Sequence, residues 1–399
     1  MNSHSAGVDR PVICVLMRYY LPGYKAGGPV RSVANLIEAL GGEFDFRVIC
    51  LDRDLMEDAP YESAVPGIWQ QVGKASVRYA DARSARPWTL LHLIHALQPD
   101  LIYLNSYFDP AFSVSVLWMH RLGWLRHVPL LLAPRGEFSP GALTLKQTKK
   151  RLYLRVARWA GINRAVRWHA STAAERSDIA RALRVSHATI YVAVDLTNTR
   201  APNLAKREVA PGLMLRIVFV SRISPMKNLT FALRVVNCLR VPACFDIWGP
   251  LEDHDYWAQC EALMRQAPSH VAVTYRGVAE NNHVQDVMAG YDVFFLPTLG
   301  ENFGHVIMEA MSVGTPVLIS NLTPWRGLAD LGIGHDLPLA DEDAFVAALE
   351  GYSGMPAEMR EAQRVRVAMH AARMTSESKG PERNRILLRR ALEPSGAAE

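Results

Sequence analysis

The chain has 399 residues, 49% hydrophobic and 21% charged, with a formal net charge of +5. That balance belongs to a folded globular protein of about two domains and excludes a largely disordered chain. No run approaches the ~18 apolar residues that a membrane-spanning helix needs, since even Ala111–Leu125 is interrupted by His120 and Arg121.

The polar start MNSHSAGVDR and the short apolar run after it lack the core of a secretory leader, so a cytoplasmic location is expected. Five scattered cysteines, with no CxxC and no His/Cys ligand spacing, read as small buried residues of a reducing compartment.

In chain order, Val12–Met17 predicts a buried strand, followed by a Gly- and Tyr-rich loop and a helix over about Pro29–Leu40. Phe44–Leu51 predicts a second strand. A helix at Trp88–Leu97 precedes a strand at Asp100–Leu104, another helix precedes Val128–Ala133, and Tyr191–Val194 closes the series. Short apolar strands separated by helices imply a parallel sheet covered on both faces. Thr197–Gly212 is polar, holds two prolines and lacks periodicity, so it is expected to be a linker.

The pattern then restarts. Strands are expected at Leu215–Val220, Cys244–Trp248, Val271–Tyr275, Val293–Leu296 and Pro316–Ile319. Helices are expected at Asn228–Arg240, Asp253–Arg265, His283–Ala289 and His305–Ser312, with a helical tail beyond Asp341. The expected division is residues 1–200, residues 201–375, and a tail of residues 376–399 packing back on the first domain.

Two stretches carry chemistry. In PTLGENFGHVIMEAMSVGTPVLIS a strand end leads through a Gly-containing loop into a helix. Asn302, Phe303, Gly304 and His305 would present free backbone N–H groups at the helix N-terminus, a ready anion site. Glu301 and Glu309 flank that loop, on the order of 10 Å apart at the helical rise. That separation suits one carboxylate at a ribose and the other at a transferred sugar; the alternative is two solvated acids on an ordinary amphipathic helix. In SRISPMKN, Arg222 and Lys227 lie on a strand–loop–helix turn where cations could meet a diphosphate, or simply be solvated.

Together these stretches resemble the GT-B glycosyltransferases of family 4, a group of retaining enzymes that includes many bacterial polysaccharide and lipid-linked glycan synthases. The resemblance covers the second domain well and the first more loosely. It implies an α/β fold of two Rossmann-like domains facing a central cleft, and transfer of a hexose-type sugar from a UDP- or GDP-sugar to a glycan or polyprenyl-linked acceptor. It implies that Arg222 and Lys227 hold the diphosphate, that Glu301 meets the transferred sugar, and that Glu309 meets the ribose. Asn302, Phe303, Gly304, His305 and Val306 would line the donor. Gly249, before Pro250, and Gly277, in the turn Arg276–Val278 near the base, match the family's run as well.

In the first domain Gly27 and Gly28 resemble the family's glycine-rich loop after the first strand. Many members carry a donor-contacting His near the stretch APRGEFSPGAL. Arg135 stands there instead, and is expected among the catalytic residues as a binder of an anionic substrate group or else as an ion-pair member. Glu137 is a further candidate for acid–base work or an ion pair.

From Lys146 to Arg167 the chain has eight basic residues and no acidic one. Leu145, Thr148, Leu152, Val156 and Trp159 fall on one helical face, so the basic helix within residues 145–167 suits an anionic membrane surface on the inner face of the plasma membrane. Nucleic acid is not expected, for want of a binding motif. Two D-x-D triplets, Asp52–Asp54 and Asp253–Asp255, raise metal-dependent transfer, but a single-domain metal enzyme leaves the second α/β unit without a role. No metal and no cofactor are expected, the nucleotide-sugar being a substrate. An oxidoreductase would want G-x-G-x-x-G after the first strand. A GT-B nucleotide-sugar epimerase and a non-catalytic nucleotide-binding protein are the remaining alternatives.

Overall fold

A computed structural model describes residues 10–81, 85–144, 147–197, 214–279 and 283–393. The chain divides into two compact units, Met1–Leu196 with Gly380–Glu399, and Thr197–Lys379. Residues 198–213, most of the expected linker, lie outside the described residues.

The first unit is built on an eight-stranded sheet in the order β3-β4-β2-β1-β5-β6-β7-β8. The strands are β1 (Val12–Leu16), β2 (Asp45–Leu51), β3 (Trp69–Val72), β4 (Ala75–Ala80), β5 (Leu101–Asn105), β6 (Leu130–Ala133), β7 (Val166–Ala170) and β8 (Ile190–Val192). All pair in parallel except β3, which turns back along β4. Its helices are α1 (Gly28–Leu40), α2 (Pro87–Leu97), α3 (Ser115–Arg121), α4 (Pro140–Thr144), α5 (Gln147–Trp159) and α6 (Ala173–Leu183).

Successive strand residues point to opposite faces, and the apolar runs therefore feed two cores. Ile13, Val15, Leu101, Tyr103 and Leu131 pack with α1 on one face. Cys14, Leu16, Ile102, Leu104, Leu130 and Leu132 pack with α2, α3, α5 and α6 on the other. In α1 the buried positions Val30, Val33, Leu36, Ile37 and Leu40 follow the helical repeat.

The second unit has a six-stranded parallel sheet in the order β11-β10-β9-β12-β13-β14. Its strands are β9 (Leu215–Val220), β10 (Ala243–Trp248), β11 (Val271–Tyr275), β12 (Val293–Leu296), β13 (Val317–Ser320) and β14 (Gly334–Leu337). Its helices are α7 (Leu229–Asn237), α8 (His254–Met264), α9 (Val284–Ala289), α10 (His305–Ser312), α11 (Glu342–Ser353) and α12 (Ala357–Glu377). Asp253 caps α8 by accepting from the Tyr256 N–H at 2.9 Å. The chain then returns to the first unit as α13 (Gly380–Leu392), which buries Leu387, Leu388 and Ala391 in the core that holds α1. Arg385 pairs there with Glu43, and Asn384 donates to the Val194 carbonyl at 2.9 Å.

Candidate active site

Within the second sheet the strand order reverses between β9 and β12, and ligands of open α/β sheets bind at that point, beyond the carboxyl ends of the strands. The segment after β9 carries Arg222 and Lys227, and the segment after β12 carries Glu301 and leads into α10. The topology thus brings the two stretches to one place.

These loops are laced together by backbone. The Leu299 N–H donates to the Met226 carbonyl at 2.8 Å, the Thr298 hydroxyl to the same carbonyl at 3.0 Å, and the Asn228 amide to the Pro297 carbonyl at 3.0 Å. On the other side, the Ile223 N–H donates to the Pro250 carbonyl at 2.8 Å. Gly249 has φ 146°, and a Cβ there would stand 1.8 Å from the Ser221 carbonyl oxygen, so only glycine fits against this loop. Gly277 accepts from the Gly249 N–H at 2.8 Å with φ 81°. Beside it Arg276 pairs with Asp246 at 3.0 Å, and Val278 is exposed.

The charged groups are paired. Arg222 Nη1 donates to Glu252 at 2.9 Å, both side chains being about one-third exposed. Lys227 Nζ donates to Glu301, and these side chains are only 12% and 13% exposed. A cation fixed beside a carboxylate at a largely buried strand end is a charge that an incoming anion can take over.

α10 begins at Gly304 with φ 78°, and no side chain caps its first turn. The approach is fixed by Trp325, whose indole N–H donates to the Phe303 carbonyl at 2.7 Å. His305 is buried with its ring 5.0 Å from that of Phe303, Val306 packs against the core, and Asn302 is half-buried. Glu309 stands half-buried in the second turn of α10, about 6 Å along the axis from its start.

In the first unit Gly27, with φ 74°, and Gly28 begin α1 with no side-chain cap and Pro29 in the first turn. The preceding loop is held by Asp54, which accepts from the Tyr24 and Lys25 N–H groups at 2.8 and 3.1 Å. The first D-x-D triplet thus has structural work: Asp54 anchors the glycine loop, and Asp52 pairs with Arg53 at 2.9 Å.

Arg135 follows β6 with φ 55°, and its side chain is 7% exposed. Its guanidinium donates to Asp195, to Asn105 at 2.8 Å and to the Tyr103 hydroxyl at 2.9 Å. The Tyr103 hydroxyl also contacts His169 at 2.7 Å, and burial, with Arg135 nearby, pushes the His169 imidazole down to about 4. Glu175 accepts from the Gly136 N–H at 2.7 Å, and Glu137 accepts from the Ser106 hydroxyl at 2.7 Å and the Tyr107 N–H at 2.5 Å. Burial raises both carboxyls above their usual range, against the pull of those N–H donors. The sequence reading missed Glu252, Asp195 and Glu175; of these only Glu252 carried a local signal, two residues beyond Gly249-Pro250.

Residues 215–354 match the family model described as glycosyl transferases group 1, and residues 27–193 match the glycosyl transferase 4-like domain. A phosphatidyl-myo-inositol mannosyltransferase of Mycobacterium leprae is 31% identical over 157 residues, which is 37% of this chain and 39% of that one. The match thus spans about two fifths of that relative. Among solved structures, HepE of Anabaena in complex with UDP and glucose superposes with a TM-score of 0.70 at 15% identity, over 95% of this chain and 99% of that one. Sucrose-phosphate synthase of Thermosynechococcus elongatus superposes with a TM-score of 0.72 at 16% identity, over 96% and 99%. With both units matched in sequence and the whole fold matched in structure, this chain belongs to the GT-B glycosyltransferases of the family 4 type.

Proposed function

We propose that the protein is a retaining hexosyltransferase that takes sugar from a UDP- or GDP-sugar and passes it to a glycan or polyprenyl-linked acceptor in polysaccharide or glycolipid assembly. The observation that carries this reading is the Lys227–Glu301 pair at the switch point of the second sheet, beside the uncapped start of α10. On donor binding the diphosphate takes Lys227 from Glu301. The freed carboxylate accepts hydrogen bonds from sugar hydroxyls, while Glu309 accepts from the ribose. In transfer, the bond from the anomeric carbon to the diphosphate oxygen breaks and the acceptor oxygen bonds that carbon on the same face. The acceptor proton passes to the departing phosphate oxygen. Arg222, Lys227 and the α10 N-terminus stabilise the charge that develops on the diphosphate, without a metal ion.

A panel of UDP- and GDP-sugars tested by thermal unfolding addresses the donor reading. A ligand at 100 times its Kd adds about 2.7 kcal/mol of apparent stability, so one nucleotide series is expected to raise the Tm by several degrees. A panel without any stabilising member contradicts the reading.

α5 supports a peripheral membrane site for the acceptor, at the inner face of the plasma membrane. Leu154 and Ala157 face the core, whereas Leu152, Val156 and Trp159 are exposed, Trp159 by 88%. Lys149, Arg151, Arg155 and Arg158 are exposed on the same helix; Leu145 and Lys146 lie outside the described residues. Each cation near an anionic surface is worth roughly 1 kcal/mol. The protein is expected to sediment with anionic vesicles, to be released by salt, and to lose binding in Lys149→Glu/Arg151→Glu/Arg155→Glu. Lys150 is left out of that variant because it donates to the Ala142 carbonyl at 2.7 Å. Binding indifferent to lipid charge would refute the membrane reading.

A further inference from the structure

The first unit has a concavity at the amino edge of its sheet, away from the strand ends that carry Gly27 and Arg135. It encloses about 1320 Å³ and is lined by the segments that enter β1, β5, β6 and β7. Four arginines reach it, Arg10, Arg121, Arg126 and Arg164, together with His120 and His127, against a single carboxylate, Asp100.

Part of this charge has structural work. The amino edge of a parallel sheet gathers helix C-termini, whose carbonyls attract cations. Arg121 donates to the Ala160 carbonyl at 2.8 Å, just beyond the end of α5, and Arg10 donates to the Gly41 carbonyl at 2.9 Å, just beyond the end of α1. Asp100 is also engaged, accepting from the Val12 N–H at 2.7 Å. Among the described residues, Arg126 and Arg164 have no carboxylate partner, and both are exposed. Among the described residues, the edge thus holds two guanidinium forks beyond those engaged by its helix ends, with Asp100 already bonded to the Val12 N–H.

We propose that this cavity is a second anion site, separate from the donor site, that binds phosphate-ester oxyanions through Arg126 and Arg164. Guanidinium forks match the oxygen geometry of phosphate and bind it bidentately. Two of them at one concavity suit a ligand with two phosphate groups, or a phosphodiester presented at a surface. Leu122 and Trp124 are exposed in the same loop as Arg126. The source is thus either a soluble phosphate ester or a lipid headgroup, and the two are separable by experiment.

The site is read on full-length protein carrying Arg222→Ala/Lys227→Ala, so that the donor site does not compete. Calorimetry with inorganic pyrophosphate is expected to detect binding that weakens at least tenfold on adding Arg126→Gln/Arg164→Gln, exposed changes that keep side-chain bulk. In parallel, flotation with phosphatidylglycerol and phosphatidylcholine vesicles compares the protein with and without the Arg126→Gln/Arg164→Gln pair, the α5 cations being intact in both. Loss of flotation on anionic vesicles assigns the site to a lipid headgroup; retained flotation with lost pyrophosphate binding assigns it to a soluble phosphate ester. The proposal is overturned if the pair changes neither measurement, or if pyrophosphate does not bind and flotation is unaffected. Nucleotide binding by the Arg126→Gln/Arg164→Gln protein with Arg222 and Lys227 restored is expected to be normal, which separates this outcome from failure of the donor reading.

Discussion

Lys227→Ala is expected to cut sugar transfer by on the order of 10²–10³-fold, the loss typical of one preorganised donor at a developing charge. Two effects act in the same direction. The ammonium that would stabilise the departing diphosphate is gone, and Glu301, which it neutralises, is left 13% exposed without its cation. An unpaired carboxylate at this strand end repels the diphosphate. Adding Glu301→Ala to Lys227→Ala is therefore expected to recover part of the lost nucleotide affinity, though not the transfer rate. Arg222→Ala acts through the same charge but frees Glu252, which is more exposed, so its effect is expected nearer the lower end of the range. The backbone bonds between the loops after β9 and β12 do not involve these side chains, so the fold should be kept, with Lys227→Ala melting lower than Arg222→Ala because the partner it leaves is the more buried. Near-normal turnover in Lys227→Ala would remove that residue from the mechanism.

Arg135→Ala is expected to lower the stability of the first unit by roughly 3–5 kcal/mol, because it removes the guanidinium that pairs with Asp195, whose side chain is 5% exposed. For a unit of this size that corresponds to a fall in Tm of roughly 10 °C. Arg135→Lys is expected to recover only part of the loss, since an ammonium cannot reach Asp195, Asn105 and Tyr103 together. Asp195→Asn in the Arg135→Ala background is expected to recover part of the stability by removing the buried charge that Arg135 had paired with. The same geometry turns the guanidinium into the network under the loop at Arg135–Glu137, so Arg135 is expected to act on transfer by positioning that loop. Transfer measured well below the Tm of Arg135→Ala separates the two roles. If Arg135→Ala melts like the unaltered protein yet loses transfer, the side chain contacts substrate instead.

Strands such as Ile13–Leu16 and Val293–Leu296, where every residue is buried and the apolar run is unbroken, are legible in the sequence; β8 and β11 are legible from their apolar residues although mostly only partly buried. The missed strands, β3, β4, β7 and β14, carry polar or charged residues that interrupt the run. β3 (WQQV) is a half-exposed edge strand, and β14 (GHDL) is largely polar and only partly buried. β7 (VRWHA) buries a histidine, which it tolerates because His169 is hydrogen-bonded to Tyr103 and to the Ala193 carbonyl. Arg222, Lys227, Glu301 and Glu309 stood out in the sequence because they lie in the segments after two strands and in the helix that follows the second. Which of these and other charges pair did not. The separations of 74 positions from Lys227 to Glu301 and 60 from Arg135 to Asp195 are closed only by the sheet topology, which local pattern does not encode.

If the second unit binds a nucleotide diphosphate as proposed, Glu309 stands at the ribose and Glu301 at the sugar. Calorimetry of the bare nucleoside diphosphate against the full chain, Glu301→Ala and Glu309→Ala tests that division most directly. Glu309→Ala is expected to weaken binding by about tenfold, the value of a hydrogen bond to a charged group. Glu301→Ala is expected to bind at least as tightly as the unaltered protein, because Lys227 no longer has to be taken from its carboxylate partner. Equal losses in the two variants, or a loss confined to Glu301→Ala, would contradict the assignment.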